Sequence, residues 1–184
     1  MKKVVILLTA MVLSFPVFAA DLDATEIRDL NFMREEEKLA HDVYAVFAVK
    51  YRDLTFAKIQ RSESKHFAAM GQLLERYDLE DPAASQHGLF NDPELQALYD
   101  DLIAKGNKGR VAALKVGAFI EETDILDIQE AIDNTDEKAS ITVYSNLLAG
   151  SRNHLIAFVG RLAKLGITYR PVELSQEAYD AIVK

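Results

Sequence analysis

The sequence predicts an all-α protein, a four-helix bundle whose two helical hairpins are joined by a long crossover that contains a short helix. The 184 residues include only eight glycines and four prolines, and no segment alternates polar and apolar residues as a strand would. Four long segments instead place apolar residues at three- and four-residue steps, which is the period of one helical face. The two halves of the chain also carry a similar pattern of polar residues on those faces.

The first 19 residues are typical of a secretory signal peptide. Two lysines precede an apolar run over residues 4–15, and small residues follow near Ala19. The run is shorter than the roughly 20 residues that cross a bilayer. We therefore expect cleavage after Ala19 or Ala20, a periplasmic or secreted location, no membrane anchor in the mature chain, and a single domain over residues 20–184.

The composition limits the partners and ligands of the mature chain. Loss of the two N-terminal lysines changes the formal net charge from −8 to −10, which disfavours binding to the phosphates of nucleic acids. The sequence has no cysteine, which excludes disulfides, thiolate nucleophiles and iron–sulfur clusters. Any metal site must therefore use carboxylate and imidazole ligands.

The first helix should begin near Asp23 or Thr25, which are both favourable N-cap residues. Its apolar face contains one charged residue, Glu37. A second, shorter apolar face would turn Glu36 inward instead, and we prefer Glu37 because its series is longer. That series consists of Leu30, Met33, Ala40, Tyr44, Phe47 and Tyr51.

The second helix should run from about Thr55 to Tyr77, and it has the most regular apolar face. Glu63 and His66 lie one turn apart in the middle of that face, so both side chains should point into the core. The apolar members of the face are Phe56, Ile59, Met70, Leu73 and Tyr77.

A long connection that contains a short helix should follow the second helix. Asn91 or Asp92 would cap this short helix, Pro93 suits its first turn, and Gly106 would end it. A further short helix, capped by Ser175, is expected near the C terminus.

The third and fourth long helices repeat the polar pattern of the first two. The apolar face of the third helix contains Glu121, with Asp124 one turn further along and Glu122 as the competing inward residue. In the fourth helix, Ser151 and His154 have the spacing of the glutamate and histidine in the second helix. The apolar members of the two faces are Val111, Leu114, Ala118, Ile125, Ile128 and Ile132, then Tyr144, Leu147, Phe158 and Leu165.

The polar residues on these buried faces predict a metal site. Three carboxylates at one depth of the bundle would repel one another, and an ionised carboxylate in an apolar core costs several kcal/mol unless it is neutralised. One or two cations would remove the repulsion, and oxygen with imidazole ligands suits Fe or Mn, with Zn as a further option. The candidate ligands are Glu37, Glu63, His66, Glu121 and His154, and further candidates are Glu36, Glu122 and Asp124.

A polar core without metal is the competing hypothesis. Lys65 adjoins His66, and Arg152 precedes His154. Buried ion pairs that involve these two basic residues would also neutralise the acids.

Four segments of the chain resemble a known protein family. They read FMREEEKLAHDVY (32–44), SESKHFAAM (62–70), GAFIEETDI (117–125) and GSRNHLIAF (150–158). Together they resemble a bacterial and archaeal ferritin-like family catalogued as domain of unknown function 2202. The resemblance implies a ferritin-like bundle with a carboxylate-bridged di-iron site. The implied ligands are Glu37, Glu63 and His66 from one half and Glu121 and His154 from the other.

The chain departs from the ferritin-like pattern at Ser151, where that pattern has a glutamate. Either Asp124 or Glu122 supplies the missing carboxylate, or the site holds one metal ion or none. The expected function is that of an exported ferritin-like metal-binding protein with oxygen or peroxide redox chemistry. A non-catalytic metal-binding protein and a structural bundle with a vestigial polar core are the alternatives.

Overall fold

Six helices form the regular structure of residues 22–184, the part of the chain that this computed structural model describes. No strand occurs in that part of the chain, and the all-α prediction is confirmed. The predicted signal peptide lies outside the described residues. The helices are α1 (Ala24–Tyr51), α2 (Leu54–Arg76), α3 (Pro93–Gly106), α4 (Arg110–Asp133), α5 (Lys138–Lys164) and α6 (Gln176–Val183).

The four long helices pack as two hairpins. Helix α1 packs along α2 and α4 packs along α5, and the two pairs meet through contacts of α1 with α4 and of α2 with α5. The crossover between α2 and α4 contains α3, which packs on α1 and α4, while α6 packs on α5. This is the bundle with a long crossover that the sequence predicts. Among these six helices, none has the apolar length that a bilayer span requires.

Helices α1, α3 and α6 begin at capping residues that the sequence indicates, namely Asp23, Asp92 and Ser175. Oδ1 of Asp23 accepts hydrogen bonds from the backbone N–H groups of Thr25 and Glu26 at 2.7 and 2.9 Å, and the Glu26 carboxylate accepts one from the N–H of Asp23. Asp92 caps α3 through its side chain. Helix α4 begins after Gly109, whose φ of 152° favours glycine.

Aromatic side chains fill the core on one side of the middle of the bundle. Tyr44 packs against Phe158 with ring centroids 5.2 Å apart, and Phe56 packs against Phe158 and Phe47 at 5.4 and 5.5 Å. All four rings are buried. Gly117 makes room for Phe158, because a Cβ at that position would lie 2.5 Å from the ring. This aromatic cluster keeps water away from one side of the polar residues at mid-bundle.

The buried faces differ from the prediction in two places. Leu165, predicted on the buried face of the fourth long helix, is 38% exposed because α5 ends one residue earlier, and Leu162 fills the core there. Glu36 and Glu37 are both buried, because α2, α3 and α4 cover α1 from several sides. Both acids therefore lie in the interior, whereas the prediction placed only one of them there.

Candidate metal centre

Five polar side chains from four helices meet in the middle of the bundle. They form two groups that share Glu63, and in each group one ligand atom from every member lies within 4.8 Å of the others. One group contains Glu37, Glu63 and His66, and the other contains Glu63, Glu121 and His154. The structure thus brings together all five residues of the predicted ligand set.

Glu63 is the central residue of this cluster. Its Oε2 lies 2.9 Å from Nδ1 of His66, and its Oε1 lies 2.7 Å from Nδ1 of His154. Oε2 of Glu37 is 3.3 Å from the same His66 nitrogen, and Oε2 of Glu121 is 3.4 Å from the same His154 nitrogen. The cluster is therefore nearly symmetric about Glu63, with one histidine and one further glutamate on each side.

The rings of His66 and His154 face each other across the bundle. Their centroids are 5.5 Å apart and their planes are inclined by 26°. The position of His66 depends on Gly150, because a Cβ at Gly150 would lie 2.5 Å from Cε1 and 2.6 Å from Nε2 of the His66 ring. Any side chain at position 150 would displace that ring.

The short distances in the cluster do not amount to hydrogen bonds. Nδ1 of His154 is 2.7 Å from Oε1 of Glu63 and Nδ1 of His66 is 2.9 Å from Oε2, yet neither contact has the geometry of a hydrogen bond. Both oxygens of Glu63, Oε2 of Glu37 and Oε2 of Glu121 also lack a hydrogen-bond partner within residues 22–184. Buried polar atoms are rarely left in this state, and a bound ion is one explanation. The donor atoms, carboxylate oxygen and imidazole nitrogen, fit a metal cation.

The two histidines are strongly coupled to the carboxylates around them. Burial alone lowers the pKa of His66, but Glu37 and Glu63 outweigh that effect and raise the pKa to about 10. Burial likewise lowers the pKa of His154, and Glu121 and Glu63 outweigh it and raise the pKa to about 11. Both imidazoles therefore hold an additional proton at neutral pH in the metal-free protein.

The three glutamates differ in their affinity for protons. Burial raises the pKa of Glu37 to about 8 and that of Glu121 to about 7, and in each case the adjacent histidine opposes the rise. Burial also acts to raise the pKa of Glu63, but His154 and His66 outweigh it and lower the pKa to about 2. Glu63 is therefore the carboxylate that stays ionised between the two imidazolium rings.

Tyr44 orients Glu121 from the side of the aromatic cluster. The Tyr44 hydroxyl donates a hydrogen bond of 2.6 Å to Oε1 of Glu121, which leaves Oε2 facing His154. The sequence places Tyr44 in the core but does not assign it this contact. The signal that could have found it is the seven-residue step from Glu37, which puts both side chains on one face of α1.

The three further acidic candidates have different surroundings. Glu122 is buried but faces the C-terminal segment, where its carboxylate accepts a hydrogen bond of 2.6 Å from a tyrosine hydroxyl and bonds of 2.9 Å from the N–H groups of residues 172–174. Glu36 is buried, and burial together with the charge of an aspartate on α4 raises its pKa well above the usual value. Asp124 is buried without a hydrogen-bond partner in the described residues, and it belongs to neither ligand group.

Ser151 and the two nearby basic residues do not complete the cluster. The Ser151 hydroxyl donates a hydrogen bond of 3.2 Å to the backbone oxygen of Leu147, one turn earlier in α5. Lys65 and Arg152 are exposed, so they do not neutralise the buried acids as the hypothesis of a metal-free polar core requires. The ion pairs of the cluster are formed by its own glutamates and histidines.

The comparisons with known proteins place the chain in a family. Over 152 residues it is 45% identical to the uncharacterized protein MJ0754 of Methanocaldococcus jannaschii, and the match covers 82% of each chain. The crystal structure of hypothetical protein MJ0754 from Methanococcus jannaschii DSM 2661 is similar to this structure with a TM-score of 0.87 and 42% identity, over 92% of this chain and 97% of that one. The uncharacterized protein domain DUF2202 matches residues 26–184, and the chain belongs to that family.

Proposed function

We propose that this protein is a ferritin-like metal-binding protein whose centre holds two cations, one on each side of Glu63. Glu37 and His66 would hold one cation, and Glu121 and His154 the other, with Glu63 shared between them. The observation that supports this proposal is the set of buried donor atoms without hydrogen bonds, arranged in two groups that one carboxylate joins.

The donor set suits Fe or Mn. Three carboxylates and two imidazoles combine the ligands that suit Mn with those that suit Fe. Bound Fe or Mn would supply one-electron redox chemistry toward dioxygen or peroxide. The chain contributes a fixed orientation of Glu121 through Tyr44 and an aromatic cluster that keeps water from one side.

Metal analysis tests this proposal. The mature protein, loaded with Fe²⁺ or Mn²⁺ without oxygen and then freed of excess metal, should carry about two ions per chain. His66→Ala and His154→Ala should each reduce this to about one, and Glu63→Gln should weaken both positions because both use this carboxylate. His87→Ala is the matched control, since His87 is exposed and lies outside the cluster. A wild-type protein that binds no metal would contradict the proposal.

A non-catalytic role in holding metal is the second candidate function. The observation in its favour is that the cluster is closed: Glu63 and Glu121 are fully buried, and the side chains of His66 and His154 are only 12% and 10% exposed. Consumption of peroxide or dioxygen by the metal-loaded protein separates the two roles. Turnover would support redox chemistry, and stable loading without turnover would support metal holding. We further propose export from the N-terminal pattern, which the N-terminal mass of the protein recovered from cells tests.

A further inference from the structure

A row of acidic residues on α4 leads from the candidate metal centre toward the surface. Glu121, Asp124, Asp127 and Glu130 follow one another at three-residue steps, so each lies about 4.5 Å further along the helix axis than the one before. Exposure increases along this acidic row. Glu121 is fully buried and Asp124 is 3% exposed, while Asp127 is partly buried and Glu130 is exposed.

The outer end of the acidic row opens into a surface cavity of about 840 Å³ between the start of α1 and the end of α4. Among residues 22–184, Arg28 is the one basic residue that lines the cavity, and it is paired with Asp29 at 2.9 Å. The cavity therefore carries an excess of negative charge that attracts cations. The carboxylates that line it belong to Asp29, Glu35, Asp92, Glu94, Asp127 and Glu130.

The inner part of the row contains one carboxylate, that of Asp124, to which no described residue donates a hydrogen bond. Neither oxygen of Asp124 has a hydrogen-bond partner within residues 22–184, although the side chain is buried. Burial raises the pKa of Asp124 well above its usual value, and the charges of Glu36 and Glu121 add to that rise. Residues three positions apart are neighbours on a helix. Asp124 therefore lies between Asp127, which lines the cavity, and Glu121 of the candidate centre.

We propose that the acidic row is the path by which divalent cations reach the centre, and that Asp124 forms a transit site on this path. The proposal rests on the proposed function, since it supplies cations to the same cluster. The two unpartnered oxygens of Asp124 provide ligand atoms at the depth where a cation leaves water and has not yet reached Glu121. The negative cavity raises the local concentration of cations at the mouth of the path.

The competing path runs past the edges of the two histidines, where the cluster comes near the surface. The side chains of His66 and His154 are partly accessible there. However, Lys65 and Arg152 are exposed residues directly beside these histidines in the chain. Their positive charges oppose the approach of a cation, so the charge distribution favours the acidic cavity.

The test measures how fast the metal-free mature protein takes up Co²⁺, followed by the visible absorbance of the bound ion after rapid mixing. Asp127→Asn and Asp124→Asn should each slow uptake by about tenfold, because each replaces a carboxylate on the path, which can bind a cation, with a neutral amide. The final stoichiometry should stay that of the wild type. Glu75→Gln is the matched control, since it removes one charge from an exposed position on α2 away from the cavity, and its uptake rate should equal that of the wild type.

Each of the other outcomes overturns a defined part of the reasoning. Wild-type uptake rates in Asp127→Asn, or equal slowing in Glu75→Gln, would exclude the acidic path. Faster uptake in Lys65→Gln would place the path at the histidine edges. A lower final stoichiometry in Asp124→Asn would make Asp124 a ligand of the centre and not a transit residue. If the wild type takes up no Co²⁺ at all, both the proposed metal centre and the path fail. If the wild type takes up Co²⁺ but the variants are not slowed, only the path fails.

Discussion

Gly150→Ala should remove one metal position while leaving the fold intact. The new Cβ would lie 2.5 Å from Cε1 of His66, whereas ordinary contacts begin near 3.4 Å. The His66 ring must therefore move by about 1 Å, which a side-chain rotation permits at small cost because the ring is the far end of a flexible side chain. Metal–ligand bonds tolerate deviations of about 0.2 Å, so a shift of this size takes Nδ1 of His66 out of coordination.

The expected loss of affinity at the position of His66 is at least about 100-fold, since even changes to groups that only orient a ligand cost about 10- to 100-fold. Gly160→Ala on the same helix is the matched control, because no atom lies within 4 Å of its new Cβ. Both substitutions increase helix propensity by up to about 1 kcal/mol, so neither should destabilise the metal-free bundle.

Titration of both variants and the wild type with Co²⁺ or Mn²⁺, together with thermal unfolding of the metal-free proteins, measures the two effects separately. We expect about one ion per chain for Gly150→Ala and about two for Gly160→Ala and the wild type. If Gly150→Ala binds two ions with wild-type affinity, this prediction is wrong. Either His66 is then not a ligand, or its position does not depend on the absence of a side chain at position 150.

Two further predictions concern stability. The metal-free protein should become less stable as the pH rises from about 6.5 to about 10. The reason is that the folded state keeps protons on His66 and His154 that the unfolded chain releases near pH 6.5. Urea unfolding with a chelator present measures this change, and a constant free energy of unfolding over that pH range would contradict it. Glu122→Ala should destabilise the protein by about 3 kcal/mol or more, since a buried tyrosine hydroxyl and three backbone N–H groups, of which that of Leu174 is buried, lose their acceptor. Metal stoichiometry should not change. Loss of metal in a stably folded Glu122→Ala variant would contradict the separate roles of Glu121 and Glu122.

Helical periodicity was sufficient to predict the five residues of the cluster. Glu63 and His66 interrupt an otherwise apolar series of three- and four-residue steps, and such a series fixes which side of a helix is buried. In the second half of the chain, Glu121 corresponds to Glu37 and His154 corresponds to His66. Because the positions match in depth as well as in face, His66 and His154 meet across the bundle.

The roles of the remaining acids could not be predicted in this way. Glu122 is satisfied by N–H groups about 50 residues later, in a segment without helical periodicity, and contacts of this kind leave no local pattern. Glu36 and Glu37 point about 100° apart on one helix, yet both are buried because α1 has neighbours on several sides. Periodicity indicates burial on one face and does not show how many neighbours a helix acquires in the fold.

Glu122 provides an internal comparison for the cluster beside it. It is as deeply buried as Glu121, and the fold supplies its carboxylate with three backbone N–H groups and a tyrosine hydroxyl. The same fold therefore can satisfy a buried carboxylate where stability alone requires it. At Glu63 and Asp124 it leaves both oxygens without hydrogen bonds, although these groups lie within the same four helices. Each buried acceptor without a hydrogen bond costs about 1–3 kcal/mol of stability. This cost is expected if the oxygens are kept available for cations. The proposed centre accounts for the open oxygens of Glu63, and the proposed uptake path accounts for those of Asp124.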